Sequence, residues 1–197
     1  SEIDYLVLNH TEPDHAGGVA RLLELNPNME IVCSQAGSIY IKNITNRTDL
    51  KLHVVKDGEE ISLGGRTLKF LVAPFLHWPD SMFTWVPEDK TLFPCDFLGG
   101  HYCEPFTFDY NIARNDAYES SFKGYYDAIF GPFPSYVQKG LEKIKDLDIE
   151  IACPSHGPVL TKGCRLEYTM EKYNEWSTPK EKGPKQVPVF YCSAYGN

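Results

Sequence analysis

The chain is predicted to fold as an α+β protein. Three observations carry that prediction. Apolar, strand-like runs alternate with helical patterns over the first 50 residues, short β-like runs fill residues 52–95, and helical periodicity returns from about residue 116 onward.

Taken in order, residues 3–8 form an apolar run that stops at Asn9 and delivers His10-Thr11-Glu12-Pro13-Asp14-His15 into a loop. Gly17-Gly18 then opens a helix with an apolar stripe of Val19, Leu22, Leu23 and Leu25, which Asn26-Pro27-Asn28 ends. A short strand at 30–33 and an amphipathic segment at 36–44 follow. Between residues 52 and 95 the pattern is that of a sheet, punctuated by Asp57-Gly58, Gly64-Gly65, Pro74, Pro79 and Pro87-Glu88-Asp89. Alternation over 67–72 and 82–86 suits strands with one face in a core. Helices are expected at about 116–130, 136–145 and 165–176, with a buried strand at 150–153 leading into Pro154-Ser155-His156-Gly157-Pro158.

Residues 177–186 contain no apolar side chain except prolines and read as a linker. A new strand at 187–191 then runs into Ser193-Ala194-Tyr195-Gly196-Asn197, the way a second α/β domain begins. The expected organisation is therefore a domain over 1–176, a linker over 177–186, and the first strand and turn of another domain over 187–197.

With 197 residues, 42 % apolar and 23 % charged, the composition is that of a folded protein with room for one fair-sized core. A net charge of −8 argues against non-specific binding to nucleic acid or to an anionic membrane, since both need clustered Lys and Arg. No apolar stretch approaches the roughly 20 residues that span a bilayer. The six cysteines include no C-x-x-C pair and read as reduced and mostly buried, which favours a cytoplasmic location, although an even number would also allow disulfides.

Four residues clustered within positions 10–15 can bind metal: His10, Glu12, Asp14 and His15. In an extended stretch His10, Glu12 and Asp14 would point the same way, and a turn at Asp14-His15 would present two adjacent side chains. Alone, the hexapeptide could be a polar surface turn. Three more candidates, His77, Asp96 and His156, each follow a predicted strand, so loops at one edge of a sheet could bring them into the same cleft. Four imidazoles and three carboxylates suffice for two metals sharing one carboxylate, with positions left open. His53 reads as an ordinary sheet residue, and His101 as a surface residue that could also line the pocket. The alternating Phe106, Phe108 and Tyr110 and the helical Phe122, Tyr125, Tyr126 and Phe130 read as core.

The order H-x-[HE]-x-D-H, then His, Asp and His, resembles the metallo-β-lactamase superfamily, and Glu12 in place of its usual second histidine resembles the flavodiiron branch. The segments 77–82 and 95–96, and the C-terminal Ser193-Ala194-Tyr195-Gly196-Asn197, resemble that branch as well. The resemblance implies an αββα sandwich lacking its N-terminal part and leading into a truncated flavodoxin-like domain. It implies one iron on His10, Glu12 and His77, another on Asp14, His15 and His156, and Asp96 bridging them. FMN would be bound in part by Ser193, Tyr195, Gly196 and Asn197. It further implies reduction of dioxygen or nitric oxide, electrons from rubredoxin or another donor, and a head-to-tail homodimer. The runner-up is a dinuclear zinc hydrolase, and a structural metal site is a third reading, disfavoured because structural sites prefer cysteine. Read as a fragment, the chain alone is expected to express poorly and to hold FMN weakly. A cooperative thermal transition for the isolated 197 residues would overturn the first of these expectations.

Overall fold

The computed structural model describes residues 3–179. Strand β1 (Tyr5–Leu8) passes through the short helical turn α1 (Pro13–Ala16) and helix α2 (Val19–Leu25) to β2 (Glu30–Cys33). Helix α3 (Gln35–Thr45) then leads to β3 (Leu52–Val54). These three strands form a parallel sheet in the order β1-β2-β3, with Val7 opposite Val32 and Val32 opposite His53. Next come β4 (Glu60–Ser62), β5 (Thr67–Val72), β6 (Met82–Val86) and β7 (Thr91–Phe93), then α4 (Asn115–Ile129), α5 (Pro134–Ile144), β8 (Ile151–Ala152), β9 (Leu160–Thr161) and α6 (Leu166–Ser177). The second sheet has the order β4-β5-β6-β7-β8-β9 and is antiparallel except where β7 meets β8.

Side-chain alternation divides the apolar residues among three layers of core. In β2, Ile31 and Cys33 face α2 and α3 and pack with Leu8, Val19, Leu23 and Ile41, while Val32 points the other way toward Phe70 and Met82 of the second sheet. In β5 and β6, the neighbours Leu71 and Phe83 face α4, α5 and α6 instead. The result is the four-layered αββα sandwich that the resemblance implied.

Helix α3 starts at Ser34, whose hydroxyl accepts from the Gly37 N–H at 3.1 Å, and it ends at Asn46 in the left-handed region. Helix α5 has Pro134 in its first turn, where a missing N–H is harmless. Helix α4 buries Tyr118, Phe122, Tyr125 and Tyr126, a spacing of four, three and one that forms one helical face. Phe122, Tyr125, Tyr126 and Phe130 are core, as expected, and Tyr118 joins them.

Phe106 and Tyr110 are not: both are exposed. Their stretch is a loop and a short 3-10 turn rather than a strand, joined to the second sheet by an isolated bridge between Phe108 and Val159 and by the Asp109 carboxylate on Thr161, so alternation confers no buried face. The cysteines also differ from expectation. Among the described residues all are free, but only Cys33 and Cys95 are buried, while Cys103 and Cys164 sit on exposed loops. Ser177, placed in the linker by composition, is the last residue of α6 and is buried, its hydroxyl donating to the Tyr173 carbonyl. Among the described residues no helix is long and apolar enough to cross a membrane.

Because β5 and β7 are both antiparallel to β6, and β8 is parallel to β7, the strands β5, β7 and β8 run in one direction. Their C-terminal ends therefore share an edge of the second sheet. Asn9, at the end of β1, brings the first sheet to that edge: its side chain accepts from the Thr84 hydroxyl at 2.7 Å and donates to the Phe93 carbonyl at 3.1 Å, and its own carbonyl accepts from the Met82 N–H at 2.8 Å.

Candidate metal centre

The loops at this shared edge carry all seven candidate ligands. After Asn9 the chain remains extended, so His10 and Glu12 point the same way and meet, Nε2 to Oε2, at 3.2 Å. Asp14 departs from the expected convergence. Pro13 begins the turn α1, which breaks the two-residue periodicity and swings Asp14 and His15 to the other side. There Asp14 lies 3.5 Å from His15 Nε2 and 3.2 Å from His156 Nε2.

The other three ligands sit in loops held in unusual backbone conformations. Phe75, two residues before His77, and Cys95 and Leu98, flanking Asp96, all have positive φ without being glycine. Each such residue costs about 1–3 kcal/mol, and they gather at sites where geometry is over-determined by packing. Glycine is required where the Asp96 and His156 loops touch. A Cβ on Gly99 would stand 2.9 Å from the carbonyl oxygens of both Asp96 and His156, and one on Gly157 (φ +90°) would stand 2.8 Å from the Gly100 carbonyl oxygen.

Asp96, only 2 % exposed, lies at the centre. Its Oδ2 is 3.3 Å from His77 Nε2 and 3.7 Å from His10 Nε2, and its Oδ1 is 3.1 Å from His15 Nε2 and 3.4 Å from His156 Nε2. Glu12 Oε2 closes the first group at 3.0 Å from His77 Nε2. The side chains thus sort into two trios, His10, Glu12, His77 and Asp14, His15, His156, with one oxygen of Asp96 turned toward each. Glu12, Asp14 and His156 are partly exposed, so the cluster opens to solvent on their side.

The electrostatics follow from this crowding. The Asp96 carboxylate raises the pKa of His15, against burial, which lowers it. Burial alone would lower His77, but Asp96 and Glu12 outweigh it and the pKa is raised. Burial likewise pushes Asp96 up, yet the imidazoles of His15 and His77 hold its carboxyl well below the usual carboxylate range.

The residues fit metal ions. His15 Nε2 and Asp96 Oδ1 are both fully buried, approach to 3.1 Å, and still have no hydrogen-bond partner. Buried polar atoms are almost always partnered, and a cation is one of the few things that satisfies an imidazole nitrogen and a carboxylate oxygen together. His10, Glu12, His15 and Asp96 offer ligand atoms all within 4.8 Å of one another, as do Asp14, His15 and His156. The donors are nitrogen and oxygen with no thiolate, suited to iron, manganese or zinc.

Sequence reasoning missed several neighbours. Asp80 is 1 % exposed and lies 3.2 Å from His10 Nδ1. An acid three residues after His77, just before the apolar 82–86 strand, was the available signal. Tyr125 donates from its hydroxyl to the Asp96 carbonyl at 3.1 Å, and the Trp78 ring stands edge-on to His10 at 5.1 Å. Nothing in their spacing marked either residue. His101 is exposed, as a surface residue would be, and its ring also stands 5.3 Å from His156 and 4.7 Å from Tyr125. His53 instead pairs with Glu59 at 2.7 Å, as an ordinary sheet residue would. Ser193, Tyr195, Gly196 and Asn197 lie outside the described residues.

An αββα sandwich with two trios of His and carboxylate ligands around a shared Asp, at the C-terminal edge of its strands, defines a metallo-β-lactamase-like protein. A family profile described as "ODP family beta lactamase" matches residues 1–157. The chain belongs to that family, and its homology is to the flavodiiron proteins. It is 52 % identical over 198 residues to flavo-diiron protein FprA2 of Clostridium acetobutylicum, covering 100 % of this chain and 50 % of that protein. It is 37 % identical over 201 residues to the type A flavoprotein fprA of Rhodobacter capsulatus, covering 99 % of this chain and 45 % of that one. Among solved structures, the rubredoxin oxygen:oxidoreductase of Desulfovibrio gigas superposes with a TM-score of 0.84 at 32 % identity, over 89 % of this chain and 44 % of that one. The flavodiiron protein of Giardia intestinalis gives 0.84 at 31 % identity, over 89 % and 42 %. The chain spans about half the length of the curated relatives named here.

Proposed function

We propose that this chain is the di-iron part of a flavodiiron oxidoreductase that reduces dioxygen to water or nitric oxide to nitrous oxide, with electrons delivered through FMN. The observation that carries the reading is the division of Asp96, one oxygen toward His10 and His77 and the other toward His15 and His156. In this reading His10, Glu12 and His77 would hold one iron, Asp14, His15 and His156 the other, and Asp96 would be shared between them. Bound there, the metals would supply Lewis acidity and electrons to a diatomic substrate.

The chain's own residues do the rest. The carboxylates of Glu12, Asp14 and Asp96 add hard oxygen donors and negative charge, which suit ferrous and ferric iron better than a histidine-only set would. Phe130, 6.2 Å from His77, and Tyr125, 6.0 Å from His156, back the imidazoles on the core side and keep water from reaching them there. The opening beside Asp14 and His156 leaves the way in for a small substrate.

With Ser177 returned to the last helix, the same reading assigns residues 1–177 to the di-iron domain, 178–186 to a linker and 187–197 to the start of an FMN domain, in which Ser193, Tyr195, Gly196 and Asn197 would contribute to the phosphate site. Rubredoxin or another electron donor, a head-to-tail homodimer and a cytoplasmic location belong to it too. The names of the Desulfovibrio gigas and Rhodobacter capsulatus relatives, a rubredoxin oxygen:oxidoreductase and a type A flavoprotein, support the electron route.

The deciding experiment is metal analysis with low-temperature EPR on protein purified without oxygen. About two irons per chain and a coupled mixed-valence signal are expected, followed by consumption of dioxygen or nitric oxide by the reduced protein. Zinc in both positions after growth with iron available would replace this reading with a hydrolase.

A further inference from the structure

His10 differs from the other three imidazoles in what lies behind it. Its Nδ1 is 3.2 Å from Asp80 Oδ1, while its Nε2 faces Glu12 and Asp96. Asp80 has no freedom of its own. Its Oδ2 accepts from the Thr11 hydroxyl at 2.6 Å, its carbonyl accepts from the Ser34 hydroxyl at 2.8 Å, and the residue is 1 % exposed. Ser34 is also the residue that caps α3. Thr11 adjoins His10, and Asp80 lies three residues beyond His77, so one buried carboxylate ties together the two loops that supply the first trio. Among the described residues, the second trio has no carboxylate in the corresponding place.

A carboxylate fixed on Nδ1 favours the proton there, which frees Nε2 to offer its lone pair to a metal ion in the ligand cluster, and it makes that nitrogen a better donor. We propose that Asp80 is a positioning residue that selects the tautomer and sets the orientation of His10, so that the first metal position depends on Asp80 and the second does not. The inference rests on the two-metal reading above. It goes beyond that reading in making the two positions unequal, with the inequality traced to a residue that binds no metal.

Two variants and two readouts test it on the full chain. Asp80→Asn keeps an acceptor for His10 Nδ1–H but loses the charge, and Asp80→Ala loses both. In metal-free protein, nitrogen-15 NMR of the imidazoles should show His10 protonated on Nδ1 in the parent and shifted toward the Nε2–H form in Asp80→Ala, with His15, His77 and His156 unchanged. In anaerobic Fe(II) titrations the parent should take about two ions. Asp80→Asn should weaken one of them by about 10–100-fold, the usual cost of losing such a partner, and Asp80→Ala should retain one ion only. Asp109→Asn, at a similarly buried carboxylate whose hydrogen bonds go to Thr161 and Arg165 and to none of the seven candidate ligands, should leave both ions in place.

A His10 tautomer and a first-ion affinity unchanged in both variants would overturn the proposal, as would equal weakening of both ions. Should Asp80→Ala fail to fold, Asp80→Asn alone decides by the same criteria. A parent that binds fewer than two ions would count against the two-metal reading instead, while the tautomer measurement would still judge Asp80.

Discussion

Asp96 is the residue whose loss should reach both halves of the site. Asp96→Asn replaces one oxygen by an amide nitrogen that cannot bind a cation and removes the charge that raises His15 and His77. Bound iron is expected to fall from about two to one or fewer per chain, measured by elemental analysis after anaerobic loading. Glu12 bears on which metal binds. Glu12→His should raise the zinc-to-iron ratio of protein grown with both metals, because a third imidazole in the first trio softens the donor set. An unchanged ratio would mean that this carboxylate does not set the preference. Gly140 tests the packing behind the site. A Cβ there would collide with Leu76 Cδ1 and crowd Phe97, so Gly140→Ala should destabilise the fold by about 1–3 kcal/mol in urea.

At the scale of elements, Asp109 joins β9 to α6. It accepts from the Thr161 N–H at 2.9 Å, the Thr161 hydroxyl at 2.7 Å and the Arg165 N–H at 3.0 Å. Asp109→Ala leaves these partly buried donors without their acceptor and should cost about 1–3 kcal/mol, read as a lower urea midpoint. The starts of β7 and β8 and the end of β9 are clasped on the surface by Lys90 and Lys162 on Asp148, each pair at 2.7 Å. Those lysines hold the Asp148 carboxyl down to about 2 from an ordinary 3.8. A depressed carboxyl stabilises the fold above its ordinary pKa and loses that contribution as pH falls toward its folded value. The effect is therefore expected to fade between about pH 4 and pH 2, to weaken with added salt, and to disappear in Asp148→Asn.

For the whole molecule, the proposed ligands come from loops after β1, β5, β7 and β8, so metal held by them would cross-link both sheets. Removing it with a chelator should lower the thermal midpoint, since a ligand bound only by the folded state adds about 2.7 kcal/mol when present at a hundred times its dissociation constant. Identical midpoints with and without metal would show that the cluster contributes nothing to holding the sandwich together.

Much of this architecture was legible beforehand because it depends on local periodicity. The strands at 30–33, 67–72 and 82–86 coincide with β2, β5 and β6, and the helices lie within about two residues of their expected bounds. All seven proposed ligands were legible as well, because chemistry-bearing side chains stood just beyond apolar strands. Other features depended on what the chain folds against. Pro13 sent Asp14 away from His10, a loop left Phe106 and Tyr110 in solvent, and Asp80 reached His10 across 70 positions of sequence. The residue order alone thus determined the element pattern, the donor set and the family resemblance, since each is a matter of residue type and spacing. Only the tertiary structure decided how the proposed ligands divide around Asp96 and which buried carboxylate lies against His10. Both depend on distances between loops that no local spacing encodes.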